Sequence, residues 1–492
     1  MRSLTAAFLT FVAAASVLVL EIAAGRLLAP HVGVSLLTYT GIIGVILAGI
    51  AAGAWAGGRV ADRFGPLPLL GPTFVIGGLA AVASVPIVAL VGGANLGPQA
   101  LEIVVLAATG FVAPATVLSA VGPMIVRATI VDVGTSGSLV GRLSAIGTVG
   151  AIAGTFLTGF VLLGSLPTRL IIVATGVLLV VLGLGVWMLV RRGPAPLLAA
   201  LVALGAVGAS ALAAPSGCDA ESRYYCMRIV ADAGDPDART LVLDGLSHAH
   251  VNVTDPTVLR FGYIRRFADV ALLTTPDAAG ADGERTVLHI GGGGFSFPRY
   301  LDSVDPTVRQ TVLELDPAVL AINLERLGFV PTERMRIVLG DARLSIAAEP
   351  SGAYDLVVGD AFGGLAVPWH LTTVEVLEEV RRVLGPGGTY VMNVIDYAPL
   401  GFLRAVTATA RAVFGEVAVL GHPRELAGEG GGNFVVVASS RIEADLLRGY
   451  FATLDDPDEV GVLAGEPAVE AWLGDAVVLT DDFAPVDQLL GR

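Results

Sequence analysis

Hydrophobic positions are unevenly spread along this chain. Up to residue 214 they form near-continuous runs, each close to the roughly 20 residues needed to cross a bilayer core. Seven runs are predicted as membrane-spanning helices: Leu4–Ala24, Leu36–Gly57, Leu69–Gly92, Ile103–Val126, Leu143–Leu163, Leu170–Val190 and Leu197–Ala214. The seventh is the weakest, being rich in Ala and Gly. The first follows Met1-Arg2 and could pass for a signal peptide. Glu21 and the six runs behind it argue for a retained helix. Small residues recur in these runs, as at Gly41, Gly44, Gly49, Gly53 and Gly57. They let helix backbones approach closely in lipid.

From Ser222 the pattern changes to short apolar runs separated by helical periodicity. Tyr224–Val230, Thr240–Leu243 and His250–Val253 read as a small β unit with turns at Gly234-Asp235-Pro236 and Asp244-Gly245. Further strands are predicted at Thr286–Ile290, Gln310–Leu315, Arg336–Leu339, Tyr354–Gly359 and Thr389–Val394, with helices between them. Alternation of this kind predicts a parallel, doubly wound, Rossmann-like sheet. The expected domains are a transmembrane helical part at 1–214, a small β subdomain at 215–270 and a Rossmann-like part at 271–492.

Charge sharpens the division. Residues 1–214 carry four acids and nine arginines, net +5, whereas residues 215–492 are net −19 within a total of −14. So acidic a second half would repel phosphate backbones, which excludes nucleic acid as an expected partner. In the loops, Arg2, Arg59, Arg63, Arg127, Arg142, Arg191 and Arg192 fall on one face, and Arg26 and Arg169 on the other. The first face is expected to be cytoplasmic. The chain is therefore expected in the cell membrane, multi-pass, with the lipid bilayer as partner. The second half lies outside the cytoplasm if all seven helices span, and inside if the seventh does not. Cys218 and Cys226 read equally well as two separate thiols or as a local disulfide, which needs an oxidising compartment.

Candidate chemistry sits at the ends of the predicted strands. Gly291-Gly292-Gly293-Gly294 follows the first, where glycine lets backbone approach a ligand. Glu314 ends the second strand 21 residues after Gly293, at the spacing where a carboxylate meets ribose hydroxyls. Gly340-Asp341-Ala342 ends the third, placing Asp341 where an adenine amino group could be held, and Asp360 ends the fourth. The combination predicts a nucleoside site. The spacing is not Gly-x-Gly-x-x-Gly, and no basic residue follows the glycines until Arg299, which disfavours diphosphate dinucleotides. His289 reads as a satisfied core histidine. His248 and His250 alternate on a strand with nothing to complete a metal site, and no metal is expected. His370 reads as a cap for a helix starting at Leu371. Asp481, Asp482 and Asp487 read as acceptor-site residues or helix caps.

These segments resemble the spermidine synthase (polyamine aminopropyltransferase) family, in its membrane-fused bacterial branch. The resemblance runs through Glu221–Tyr224, Leu243–Gly245, Ile290–Gly294, Val312–Pro317, Gly340–Arg343, Tyr354–Phe362 and the closing Leu479–Asp487. It implies decarboxylated S-adenosylmethionine, or S-adenosylmethionine, as co-substrate and a small amine as acceptor. It further implies Gly291, Gly292, Gly293, Glu314, Asp341 and Ala342 around the nucleoside, Asp360 as catalytic carboxylate, and Tyr263 and Asp482 at the acceptor. A homodimer is a further expectation. The chain departs from the family in three places. Gly294 stands where an aspartate is usual. Asp360-Ala361-Phe362-Gly363 lacks a second aspartate. Phe261–Arg266 replaces the usual Tyr-His-Glu, bringing in Arg265 and Arg266. Three functions stay open: aminopropyl transfer, methyl transfer from S-adenosylmethionine, or a non-catalytic nucleoside module regulating a transporter-like bundle.

Overall fold

A computed structural model describes residues 3–94, 98–130, 136–191, 197–274, 284–364, 366–439, 443–454 and 458–491. Arg2 and Arg192 lie outside them. The chain forms two compact units, Met1–Cys226 and Met227–Arg492. The boundary expected at residue 270 falls inside the helix Gly262–Leu273 of the second unit.

In the first unit, six helices are long and apolar enough to cross a membrane: Ser3–Val32, Leu36–Phe64, Leu67–Val91, Gln99–Thr129, Ser136–Leu162 and Thr168–Val190. The seventh run folds as the helix Leu197–Ala213, of 17 residues. At 1.5 Å per residue it spans about 26 Å, short of a core about 30 Å thick. Among the described residues, the seven expected runs are six long helices and one shorter one. Small residues do bring backbones together. A Cβ on Gly57 would stand 2.6 Å from Ala120 Cα, and one on Gly176 would stand 2.6 Å from the Gly78 carbonyl oxygen. Gly44, by contrast, has nothing within 4 Å and plays no such part. Asp62 pairs with Arg127 at 3.1 Å. Arg26 is buried and donates to the carbonyls of Tyr224 (2.6 Å) and Ser222 (3.1 Å). The unit ends with strand β1 (Ala220–Glu221) and a Cys218–Cys226 disulfide, which decides between the two readings of that pair.

The second unit opens with the antiparallel strands β2 (Cys226–Ala231), β3 (Ala238–Leu243) and β4 (Leu246–Asn252). Asp244-Gly245 closes the β3–β4 hairpin, with Asp244 at φ 55°, the backbone a tight hairpin turn requires. Next come β5 (Arg285–Ile290), β6 (Val308–Glu314), β7 (Met335–Leu339), β8 (Tyr354–Gly359), β9 (Leu384–Tyr397), β10 (Glu416–Gly421), β11 (Gly431–Ser439) and β12 (Gly461–Ala464). They form one sheet in the order β12-β10-β11-β9-β8-β5-β6-β7.

Strands β5 to β9 pair in parallel, as expected. The other edge does not: β11 runs antiparallel to β9, and β10 to both β11 and β12. The sheet is mixed: the five predicted strands pair in parallel, and the antiparallel edge β10–β12 was not among them. Both faces are covered, so β5 buries Leu288 and Ile290 on one side and Val287 on the other. The chain leaves β5 toward β6 and β7 and returns on its far side through β8 and β9. The β5–β8 junction is therefore a topological switch point, where open α/β sheets bind ligands.

Candidate functional site

The glycine loop leaves β5 at this switch point. Gly291 takes φ +100°, and a Cβ there would stand 2.6 Å from the Asp360 carbonyl oxygen. Only glycine lets the two strand ends lie this close. Gly292 is equally confined, since a Cβ would come within 2.9 Å of Glu314 Oε2. Phe295, a non-glycine at φ 52°, turns the chain into the helix Ser296–Val304. That conformation costs about 1–2 kcal/mol. Stacking of the fully buried Phe295 on Phe329, with ring centroids 4.3 Å apart, offsets it.

Glu314 is buried at the end of β6. Its Oε2 accepts from the amides of Gly292 (2.9 Å) and Gly293 (3.3 Å), and its Oε1 accepts from Asp316 N (2.8 Å). Burial pushes its carboxyl above the ordinary range, against the pull of those amides. The carboxylate thus splints the loop, and its remaining lone pairs are the ones a ribose hydroxyl would use. Asp341 caps the helix Ala342–Ile346, with Oδ1 accepting from Arg343 N (2.9 Å), while Oδ2 lies 3.3 Å from His370 Nε2. His370 sits in a single turn, Trp369–Leu371, and the next helix begins at Val374. It faces Asp341 rather than capping a helix, which corrects that expectation.

Asp360 is half-buried, one residue past β8. Tyr263 donates its hydroxyl to Oδ2 (3.1 Å), and the Asn393 amide donates to Oδ1 (3.0 Å). Loss of hydration raises the Asp360 pKa to about 6, although both donors favour the charged form. Burial and the neighbouring carboxylate raise the Tyr263 phenol, so it stays a donor. Asn393 is itself buried in β9, and among the described residues its Oδ1 has no partner. Sequence reasoning missed Asn393. The available signal was one amide inside the apolar run Tyr390–Ile395.

The space in front of Asp360 is a cavity of about 40 Å³ bounded by the glycine loop, β4 and the helix Gly262–Leu273. Its walls include His248, Phe267, His289, Phe297, Val358 and Phe362. His289 bonds Gln310 at 2.9 Å, as a core histidine should, and burial lowers both its pKa and that of His248 to about 4. Gly294 packs so tightly under Ala249 of β4 that any side chain would overlap the alanine methyl. The usual acid is therefore excluded by packing.

Not every expected residue joins this cluster. Arg265 pairs with Asp458, and Arg266 donates to the Asn433 carbonyl at 3.0 Å, so both arginines are engaged away from Asp360. Asp481 grips Arg343 and accepts from Thr373 (2.8 Å). Asp482 is exposed on the Thr480–Phe483 turn, and among the described residues no hydrogen bond links it to Asp360. Arg299 is tied to Leu327 and Asn323, not to the glycine loop. No cluster of three metal-binding side chains occurs among the described residues.

No family model matches the chain. It is 29% identical over 218 residues to a polyamine aminopropyltransferase of Vibrio vulnificus, covering 41% of this chain and 69% of that protein. It is 27% identical over 158 residues to the human eEF1A lysine and N-terminal methyltransferase, covering 30% of this chain but only 22% of that protein. Among solved structures, a probable spermidine synthase from Corynebacterium glutamicum aligns with a TM-score of 0.49 and 26% identity, over 53% of this chain and 95% of its own.

Proposed function

We propose, from the premise that this chain belongs to a spermidine synthase-like family, that its second unit transfers an aminopropyl group from decarboxylated S-adenosylmethionine to an amine. The observation that carries this reading is Asp360: a carboxylate at the switch-point crevice, oriented by Tyr263 and Asn393, with its pKa raised to about 6. The donor's sulfonium supplies an activated methylene. The protein has to hold a neutral amine in line and take up its proton, work worth roughly 10²–10⁴-fold in rate from a positioned base. Glu314 and Asp341 would hold the ribose and the adenine. The six long helices would anchor the unit in the membrane.

Methyl transfer is the second reading. It is favoured by the methyltransferase relatives and by the glycine at position 294. The leaving product separates the two. Purified protein incubated with each donor and a panel of amines is expected to release methylthioadenosine. Release of S-adenosylhomocysteine instead would overturn the proposal in favour of methyl transfer.

A further inference from the structure

We infer that the acceptor is a monoamine bearing an apolar arm, not a diamine; this rests on the transferase reading above. Among the described residues, the crevice lining holds one carboxylate, Asp360. Glu314 is committed to the Gly292, Gly293 and Asp316 amides. Asp341 faces His370, Asp481 is gripped by Arg343, and Asp458 is paired with Arg265. The position next to the loop that could carry another acid, Gly294, is filled by the Ala249 methyl. Beyond Asp360 the walls are Phe267, Phe297, Val358 and Phe362, with two imidazoles that burial keeps neutral at physiological pH.

In transfer, a C–N bond forms between the amine nitrogen and the donor methylene. The C–S bond breaks with its electron pair going to sulfur, and the nitrogen's proton passes to Asp360. The donor already brings one ammonium into this space. A diamine would add a second at its far end, among aromatic rings, and among the described residues the lining offers no carboxylate other than Asp360 to meet it. An unpaired buried charge is strongly unfavourable. A monoamine brings no second charge, and its apolar arm gains from the same walls.

The test uses the full-length protein in detergent, with butylamine, benzylamine and 1,4-diaminobutane. Two readouts are taken for each amine: methylthioadenosine release from decarboxylated S-adenosylmethionine, and thermal stabilisation in the presence of methylthioadenosine. The inference expects at least a tenfold higher kcat/KM and larger stabilisation for the monoamines. Phe362→Asp is expected to reverse the order by supplying the second acid. Stabilisation by monoamines without product would sink the transferase reading, and with it the role of acceptor, while keeping the crevice's preference for a monoamine. Equal or better performance by the diamine, or stabilisation by none of the three, would overturn the inference itself.

Discussion

The two sides of the crevice are built on different principles. On the nucleoside side, Glu314 and Asp341 are each held by backbone amides, Glu314 by three and Asp341 by the start of its own helix. Both are tied into the fold through main-chain groups. On the proposed acceptor side, among the described residues the Asp360 carboxylate is held by two side chains, Tyr263 and Asn393, against aromatic walls. Acids held by backbone amides are fixed by the course of the chain itself. An acid held by side chains in an apolar pocket keeps a raised pKa and a tunable partner. On the proposed reading, the donor would meet the backbone-held acids, and acceptor choice would rest on the few side chains around Asp360.

The largest effect should come from breaking the acceptor side. Asp360→Asn is expected to lower kcat roughly 10³-fold, measured as methylthioadenosine release. In the wild type, kcat/KM should decline below about pH 6, as Asp360 gains a proton, and above it should follow the rising neutral fraction of the amine. The same shift has a stability sign. Because the folded-state pKa is raised, this residue's contribution is fully present below about pH 4 and is lost as pH rises to about 6. Melting curves of wild type should therefore lose ground to Asp360→Asn across that window.

Breaking the nucleoside side should cost stability as well. Glu314→Ala orphans the Gly292 and Asp316 amides and is expected to destabilise the second unit by about 1–3 kcal/mol in denaturant titrations. Gly294→Asp tests whether packing excludes the acid. It is expected to cost about 1–3 kcal/mol through overpacking, and Ala249→Gly in the same chain should recover most of that. An unchanged melting temperature for the single variant would contradict the packing account. Tyr263→Phe sharpens the comparison most gently. Removing a donor to the carboxylate should move the acid limb of the kcat/KM profile upward by about one pH unit, whereas a merely structural tyrosine would leave it in place.

The strand-end acids and the glycine loop were legible in the sequence because they are local. Glycine runs and acids at strand ends announce themselves at fixed spacings, and Gly291, Glu314, Asp341 and Asp360 all lie at the ends of adjoining strands. The acceptor side was less legible because it depends on contacts between distant segments. Nothing in Asn393 or Ala249 alone announces a partner for Asp360 or a plug over Gly294. The same holds for the antiparallel edge, β10 to β12, since periodicity marks apolar runs but not the direction in which they pair. The pairing of Cys218 with Cys226 likewise depends on how the chain folds back, and composition alone does not give the length of the helix Leu197–Ala213.

Topology follows from that helix. If Leu197–Ala213 crosses the membrane, a phosphatase reporter fused at the C-terminus should be active outside the cytoplasm, with Cys218 and Cys226 resistant to alkylation until reduced. A cytoplasmic reporter signal would leave six spans.

The contrast between the two sides is tested most directly by calorimetric titration of methylthioadenosine into the wild type, Glu314→Ala and Asp360→Asn. The expected result is one site per chain, weakened at least tenfold in Glu314→Ala and unchanged in Asp360→Asn. Absence of binding to the wild type, or affinity lost in Asp360→Asn but kept in Glu314→Ala, would contradict the account.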